Sequence, residues 1–369
     1  MTADEQYMHR CLQLAEMGAG FVAPNPMVGA VLVYKGRIIG EGYHMQYGKA
    51  HAEVNCINSV AEKDHDLIAS STIYVSLEPC AHFGKTPPCA DLIIAKKIPN
   101  VVVGCRDPFK EVDGKGIEKL LAAGIDVKVG VLESACKELN KRFFTFHSEH
   151  RPYIILKWAQ TANKKIATSP KPSPKERALK QTDKRLLITN ALTNKLVHKW
   201  RSEEAAILVG TNTALLDDPE LSNRLWSGKS PTRLVVDMHL RLPRNLKIFD
   251  GKQPTIIFNT LQHSEDVFKI LPPPGGVRGG LYQVTDDVSI VHQILNACYQ
   301  NNIQSILVEG GAKLLQTFID EGLWDEARII TNELLIVEEG LAAPELSNHQ
   351  FTGSTKILDD RIAHYKKTN

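Results

Sequence analysis

β-Branched runs alternate with helix-patterned stretches along almost the whole chain, and the alternation starts afresh once, at Arg151-Pro152. Such an order predicts layered α/β architecture, built twice. In the first series Tyr7, Met8, Cys11, Leu12 and Ala15 have helical spacing, which stops at Gly18 and Gly20. MVGAVLVY and RIIGEGYH, parted by Lys35-Gly36, read as a hairpin. A helix over AEVNCINSVAEK then precedes the strand TIYVSL, the helix ADLIIAKK, the strand NVVVGC, the helix GIEKLLAAG and the strand IDVKVGV. A helix over ESACKELNKRFF closes the series. The second series has strands YIILKWA, AAILVG, TRLVVD, PTIIFN and SILVEGG, with helices at TNKLVHKWRS and GAKLLQTFIDEG. Two domains are expected, residues 1–147 and 148–369, which suits a length of 369 residues. TSPKPSPKERALK and LPPPGGVRGG are expected to be exposed loops.

Hydrophobic residues at 43% and charged residues at 23% are globular values. No apolar run approaches the roughly 20 residues that cross a bilayer, and MTADEQYMHR lacks signal-peptide character, so the cytoplasm is the expected address and no membrane partner is expected. A formal charge of +2 gives no electrostatic case for nucleic acid and favours a small substrate. Seven cysteines in such a chain point to reduced thiols and to metal ligation as their special use. Cys11, Cys56, Cys105, Cys136 and Cys298 stand in apolar or helical contexts and are assigned to packing.

The remaining two cysteines carry chemistry. His51-Ala52-Glu53 falls where the hairpin gives way to a helix; Pro79-Cys80 and Cys89 fall where the next strand gives way to another. One imidazole and two thiolates make three protein ligands, the set of a catalytic zinc with an open position. Glu53, two residues from His51, is then placed to take a proton from water and pass it to a leaving amine. A closed site with His82 or His44 as a fourth ligand is the competing reading. The pattern matches the H-x-E and P-C-x-x-C signature of zinc deaminases, except that Ala81 to Pro88 separate the cysteines. Asn25 reads either as a turn initiator with Pro26 or as a substrate donor. His44 reads as an ordinary histidine or a substrate contact, and Lys85 as a solvated lysine or a phosphate contact.

N-P-M-V-G at 25–29, G-Y-H at 42–44, H-A-E-V at 51–54 and L-E-P-C-A-H-F-G-K-T-P-P-C at 77–89 together resemble the bifunctional deaminase/reductase family of riboflavin biosynthesis, and nearly the whole chain aligns in order. The resemblance implies a cytidine-deaminase-like three-layer α/β/α domain followed by a dihydrofolate-reductase-like α/β domain. The first would hydrolyse the 2-amino group of 2,5-diamino-6-(5-phosphoribosylamino)pyrimidin-4-one with Zn2+; the second would reduce the ribosyl group to ribityl with NADPH. Asn25, His44 and Lys85 would then touch this phosphoribosyl pyrimidine, with Lys85 on the phosphate.

In the second domain the resemblance places Arg185, Arg201, Leu221, Arg224 and Glu309 at the substrate and Ala159, Leu187, Thr213, Asp217 and Gly311 at the cofactor, with Lys157 and Asp218-Pro219 also matching. Physically, Glu309-Gly310-Gly311 is a strand running through glycines into a helix, which offers free N–H groups to a dinucleotide phosphate. Arg201 and Arg224 read as bidentate phosphate holders or as surface arginines, and Asp217 reads equally as a cap. Two departures bear on the cofactor: Thr161-Ala162-Asn163-Lys164 replaces S-L-D-G, and an insertion ends in Leu187-Ile188-Thr189 where the family has W-I-T. Residues 164–185 hold eight basic and two acidic side chains, a local charge that attracts polyanions or simply solvates a loop. Three rivals remain at this stage: a deaminase of bases within RNA, a deaminase whose C-terminal half is non-catalytic, and a zinc scaffold. A homo-oligomer is expected of an enzyme that passes a product between two domains.

Overall fold

The computed structural model describes residues 1–81, 83, 87–110, 112–167, 187–261 and 280–368. The chain divides into two compact units, Met1–Arg151 and Pro152–Asn369. The expected boundary at 147/148 falls inside a helix, Lys141–Glu149, which buries Phe143 and Phe146 and belongs with the first unit.

The first unit opens with α1 (Ala3–Glu16), whose N-terminus is closed by a reciprocal Thr2/Glu5 capping box. β1 (Gly29–Tyr34) and β2 (Arg37–Tyr43) form the hairpin about Lys35-Gly36, both at positive φ. α2 (Ala52–Asn58) follows and is shorter than its sequence pattern predicts, because the Ser59 hydroxyl bonds back to the Cys56 carbonyl and a 3₁₀ helix takes over at Glu62–Ser70. β3 (Thr72–Leu77), α3 (Cys89–Ala95), β4 (Asn100–Cys105), α4 (Lys115–Ala122) and β5 (Asp126–Val129) complete the alternation. The single closing helix expected from sequence is two, α5 (Glu133–Leu139) and α6 (Lys141–Glu149), broken at Asn140. Asn140 is buried there, pairing its amide with both the N–H and the C=O of Met27 at 2.8 Å.

The sheet order is β2-β1-β3-β4-β5, antiparallel in the hairpin half and parallel from β3 to β5. Side chains alternate across each strand, so Ala30 and Leu32 pack with Ala52, Cys56, Ala90 and Ile93 of α2 and α3, while Val31 and Val33 pack with Met8, Cys11 and Cys136 of α1 and α5. Both faces are covered, which gives three α/β/α layers and puts α2 and α3 on one side.

The second unit holds β6 (Tyr153–Thr161), β7 (Lys165–Ala167), α7 (Ala191–Glu203), β8 (Ala206–Gly210), α8 (Thr211–Asp217), β9 (Thr232–Val236), β10 (Thr255–Asn259), β11 (Gly280–Gln283), α9 (Ile290–Gln300), β12 (Ser305–Gly310), α10 (Ala312–Asp320), β13 (Glu326–Asn332), β14 (Leu341–Ala342), β15 (His349–Ile357) and β16 (Asp360–Lys367). Its nine-stranded sheet runs β11-β10-β9-β8-β12-β6-β13-β16-β15, parallel except for the C-terminal hairpin. Ile154, Leu156 and Val308 face α9 and α10, whereas Tyr153, Ile155 and Leu307 face α7. The two expected loops, apart from Gly280, lie outside the described residues.

Candidate active sites

In the first unit, two helix starts and one strand end meet at a single point. His51 is the extended residue that begins α2, and its Nδ1 stands 3.6 Å from Cys80 Sγ and 3.4 Å from Cys89 Sγ. Cys89 opens α3 after Pro87-Pro88, and its N–H donates to Cys80 Sγ at 3.3 Å. The three donor atoms lie within 4.8 Å of one another. Such crowding suits thiols and an imidazole gathered about one soft cation, and one nitrogen with two sulfurs is the donor set that zinc takes. Hydrogen bonding from Cys89 holds the Cys80 thiol well below its ordinary range, while Cys89 is pushed up by the same contact and by burial. Two thiols that share one proton in this way are primed to lose it to a metal.

Glu53 lies in the first turn of α2 and is 3% exposed. Burial, with the charge of Cys80 added, pushes its pKa up to about 7. His44 is not a fourth donor: its Nδ1 donates to the Ala50 carbonyl at 3.0 Å and its Nε2 accepts from Asn25 Nδ2 at 3.2 Å. His44 instead lies edge-on to His51, rings 5.3 Å apart, and burial lowers its pKa. Asn25 closes a turn through its backbone N–H onto the Val22 carbonyl, and its side-chain amide faces His44. Lys85 and His82 lie outside the described residues.

The second unit gathers Lys157, Arg201 and Glu309. Arg201 Nε and NH2 donate to the two Glu309 oxygens at 2.7 Å each, and Lys157 Nζ stands 3.5 Å from Oε2. Burial alone would push the Glu309 carboxyl up; the charges of Arg201 and Lys157 outweigh it and hold the pKa down at about 2. The guanidinium fork of Arg201, read in sequence as a phosphate grip or as a surface arginine, is occupied by Glu309, and the side chain is buried. The remaining NH1 donates to the Ser222 carbonyl at 3.3 Å. Next to Ser222, Leu221 is buried at positive φ, and the Arg224 side chain is 52% exposed against Glu220. The Arg224 N–H donates to Nδ1 of the buried His198, a residue that sequence reasoning passed over for want of any motif.

Gly311 begins α10 with no side-chain cap, and Gly310 at φ 145° takes a backbone region open to glycine. A Cβ on either glycine would stand 3.3 or 3.2 Å from Thr213 Oγ1, so Thr213 overlooks that helix start. Asp217 ends α8, and Ala159 packs beside Ile155 and Trp200. Leu187 is 77% exposed, and Arg185 lies outside the described residues. The T-A-N-K departure makes a turn of its own: Thr161 Oγ1 bonds Asn163, which donates to the Val337 carbonyl.

Two α/β units, the first with a His-Cys-Cys cluster beside a buried glutamate, make this an enzyme of the zinc-deaminase class with a second domain attached. Residues 1–105 match the cytidine and deoxycytidylate deaminase zinc-binding region, and residues 152–341 match the RibD C-terminal domain. The chain is 37% identical to the riboflavin biosynthesis protein RibD of Aquifex aeolicus, over 97% of this chain and 95% of that one. It is 34% identical to RibD of Escherichia coli, over 88% and 86%. The crystal structure of a diaminohydroxyphosphoribosylaminopyrimidine deaminase/5-amino-6-(5-phosphoribosylamino)uracil reductase from Thermotoga maritima superposes with a TM-score of 0.84 at 34% identity, covering 99% of both chains. The chain belongs to the RibD family of bifunctional riboflavin-biosynthesis enzymes.

Proposed function

We propose that the first unit releases the 2-amino group of 2,5-diamino-6-(5-phosphoribosylamino)pyrimidin-4-one as ammonia, and that the second unit reduces the ribosyl chain of the product to ribityl. The observation that carries this reading is the three-donor cluster of His51, Cys80 and Cys89 with the buried Glu53 beside it. His51, Cys80 and Cys89 would hold zinc, which would supply the Lewis acidity that brings the pKa of water to about 7. Glu53, itself near 7, takes a proton on a carboxylate oxygen and returns it to the departing nitrogen. Asn25, oriented by His44, donates to the pyrimidine, and Lys85 reaches the phosphate.

In the second unit NADPH supplies the hydride, so the chain's own residues bind and orient. The uncapped start of α10 at Gly311 receives a dinucleotide phosphate with Thr213 beside it, and Ala159, Leu187 and Asp217 line the cofactor. Glu309 fixes Arg201, Arg201 fixes the segment around Leu221 and Ser222, and Arg224 presents its guanidinium to the substrate phosphate, with Arg185 as a second cation. The enzyme works in the cytoplasm as a homo-oligomer, without nucleic-acid or membrane partners. The +2 charge favours a small substrate over nucleic acid, and the exposed Leu334, Ile336 and Phe351 of the second unit support the oligomer.

The test is to give the protein the diaminopyrimidine substrate with NADPH. Ammonia release followed by loss of NADPH absorbance is expected; ammonia from tRNA alone, or ammonia without NADPH oxidation, contradicts the two-step reading.

A further inference from the structure

Glu78 is 4% exposed, and no cation among the described residues pairs with it. Its carboxylate instead accepts four backbone N–H groups. Oε2 takes those of Asp107 at 3.3 Å and Gly114 at 3.0 Å; Oε1 takes those of Gly116 at 3.0 Å and Ile117 at 3.3 Å. Gly114 begins α4 in the left-handed region with no side-chain cap, so Glu78, which directly follows β3 and lies 36 residues earlier in the chain, caps this helix. A negative charge is favoured at that end by the helix dipole. The next residue is held as well: a Cβ at Gly116 would run into the Pro79 carbonyl oxygen, so only glycine lets α4 come this close.

Cys80 follows directly. Ahead of it, α3 reaches back through two N–H groups, from Cys89 to Cys80 Sγ at 3.3 Å and from Ala90 to the Cys80 carbonyl at 3.2 Å. Behind it, the Glu78 N–H donates to the Cys105 carbonyl at 3.0 Å while the Glu78 carboxylate and the Pro79 carbonyl press on α4. Cys80 is thus bracketed by two helix starts. We propose that Glu78 is a positioning residue which, with Gly116, uses the start of α4 to set the Cys80 thiolate at the distance from His51 and Cys89 that a metal requires. Supporting contacts around metal ligands contribute about 10- to 100-fold to metal affinity.

The proposal rests on the zinc reading of His51, Cys80 and Cys89, and its test separates the two. Zinc affinity is measured on the full chain by competition with a chelating dye. The spectrum of the cobalt-substituted protein reports the thiolate ligands, and circular dichroism with a cooperative thermal transition of the first unit reports that it has folded. Glu78→Gln turns an amide group towards N–H donors and is expected to weaken zinc about 10- to 100-fold. Glu78→Asp, which keeps the charge, restores part of this. Gly116→Ala is expected to weaken zinc and alter the cobalt spectrum without touching any charge. If Glu78→Gln and Gly116→Ala lower only the melting temperature of the metal-free chain and leave zinc affinity and cobalt spectrum unchanged, Glu78 is a helix cap and the proposal is wrong. If Glu78→Gln does not fold, Glu78→Asp and Gly116→Ala decide the matter by the same two readouts. A native chain that takes up no zinc overturns the underlying reading instead.

Discussion

Arg201 and Glu309 meet fork to fork, with two hydrogen bonds of 2.7 Å between side chains 12% and 8% exposed. Removing one partner strands a buried charge, which costs about 3–5 kcal/mol, whereas replacing both by apolar groups costs much less. Glu309→Gln and Arg201→Met are each expected to lower the urea midpoint of unfolding, and Arg201→Met/Glu309→Leu to recover much of it. A double variant as unstable as the sum of the singles would show that the pair is not coupled.

The same pair sets an acid limit. The folded Glu309 pKa of about 2 lies below its unfolded value of about 4.3, so its stabilisation is complete above the unfolded value and disappears as pH falls through the folded one. The loss amounts to about 3 kcal/mol across that window. The stability gap between native protein and Glu309→Gln is expected to shrink as urea unfolding is repeated from pH 5 downward; a constant gap contradicts the assignment.

Glu53→Gln keeps the shape of the side chain and removes its ability to move a proton. Deamination is expected to fall about 100- to 10,000-fold while zinc content and NADPH-dependent reduction of the deaminated substrate stay unchanged. Loss of zinc from this variant would make Glu53 a ligand and not a proton carrier.

Asn25, His44 and Ala50, the residue before His51, form a hydrogen-bonded chain. Asn25→Ala is expected to raise KM for deamination about 10- to 100-fold by removing one hydrogen bond, with kcat changed less and zinc retained. A variant with native KM would leave Asn25 only its turn to Val22.

The metal site was legible because its chemistry is written in residue types: His51 and Glu53 sit at one helix start, Cys89 at another and Cys80 just past the end of a strand, positions that the local pattern also marks. Glu78 lay inside the quoted L-E-P-C string, yet its four partners are backbone groups at 107–117, and backbone N–H groups leave no trace in sequence. The pairing of the Arg201 fork with Glu309, 108 residues away, is likewise a contact that no local pattern announces. Strands that bury one or both faces, such as β1 and β6, gave clear patterns. β15 gave none, because it is exposed along nearly its whole length at the sheet edge and has no periodicity to read. The split of the closing helix at Asn140 was hidden for a different reason, since it depends on Met27, 113 residues earlier.

In the proposed deaminase centre three side chains hold the metal and one corner is left for water. X-ray absorption at the zinc edge of the full-length protein reads this directly: one nitrogen and two sulfur neighbours with one light oxygen atom are expected. A shell closed by a fourth side chain, or fully active protein without zinc, would contradict it.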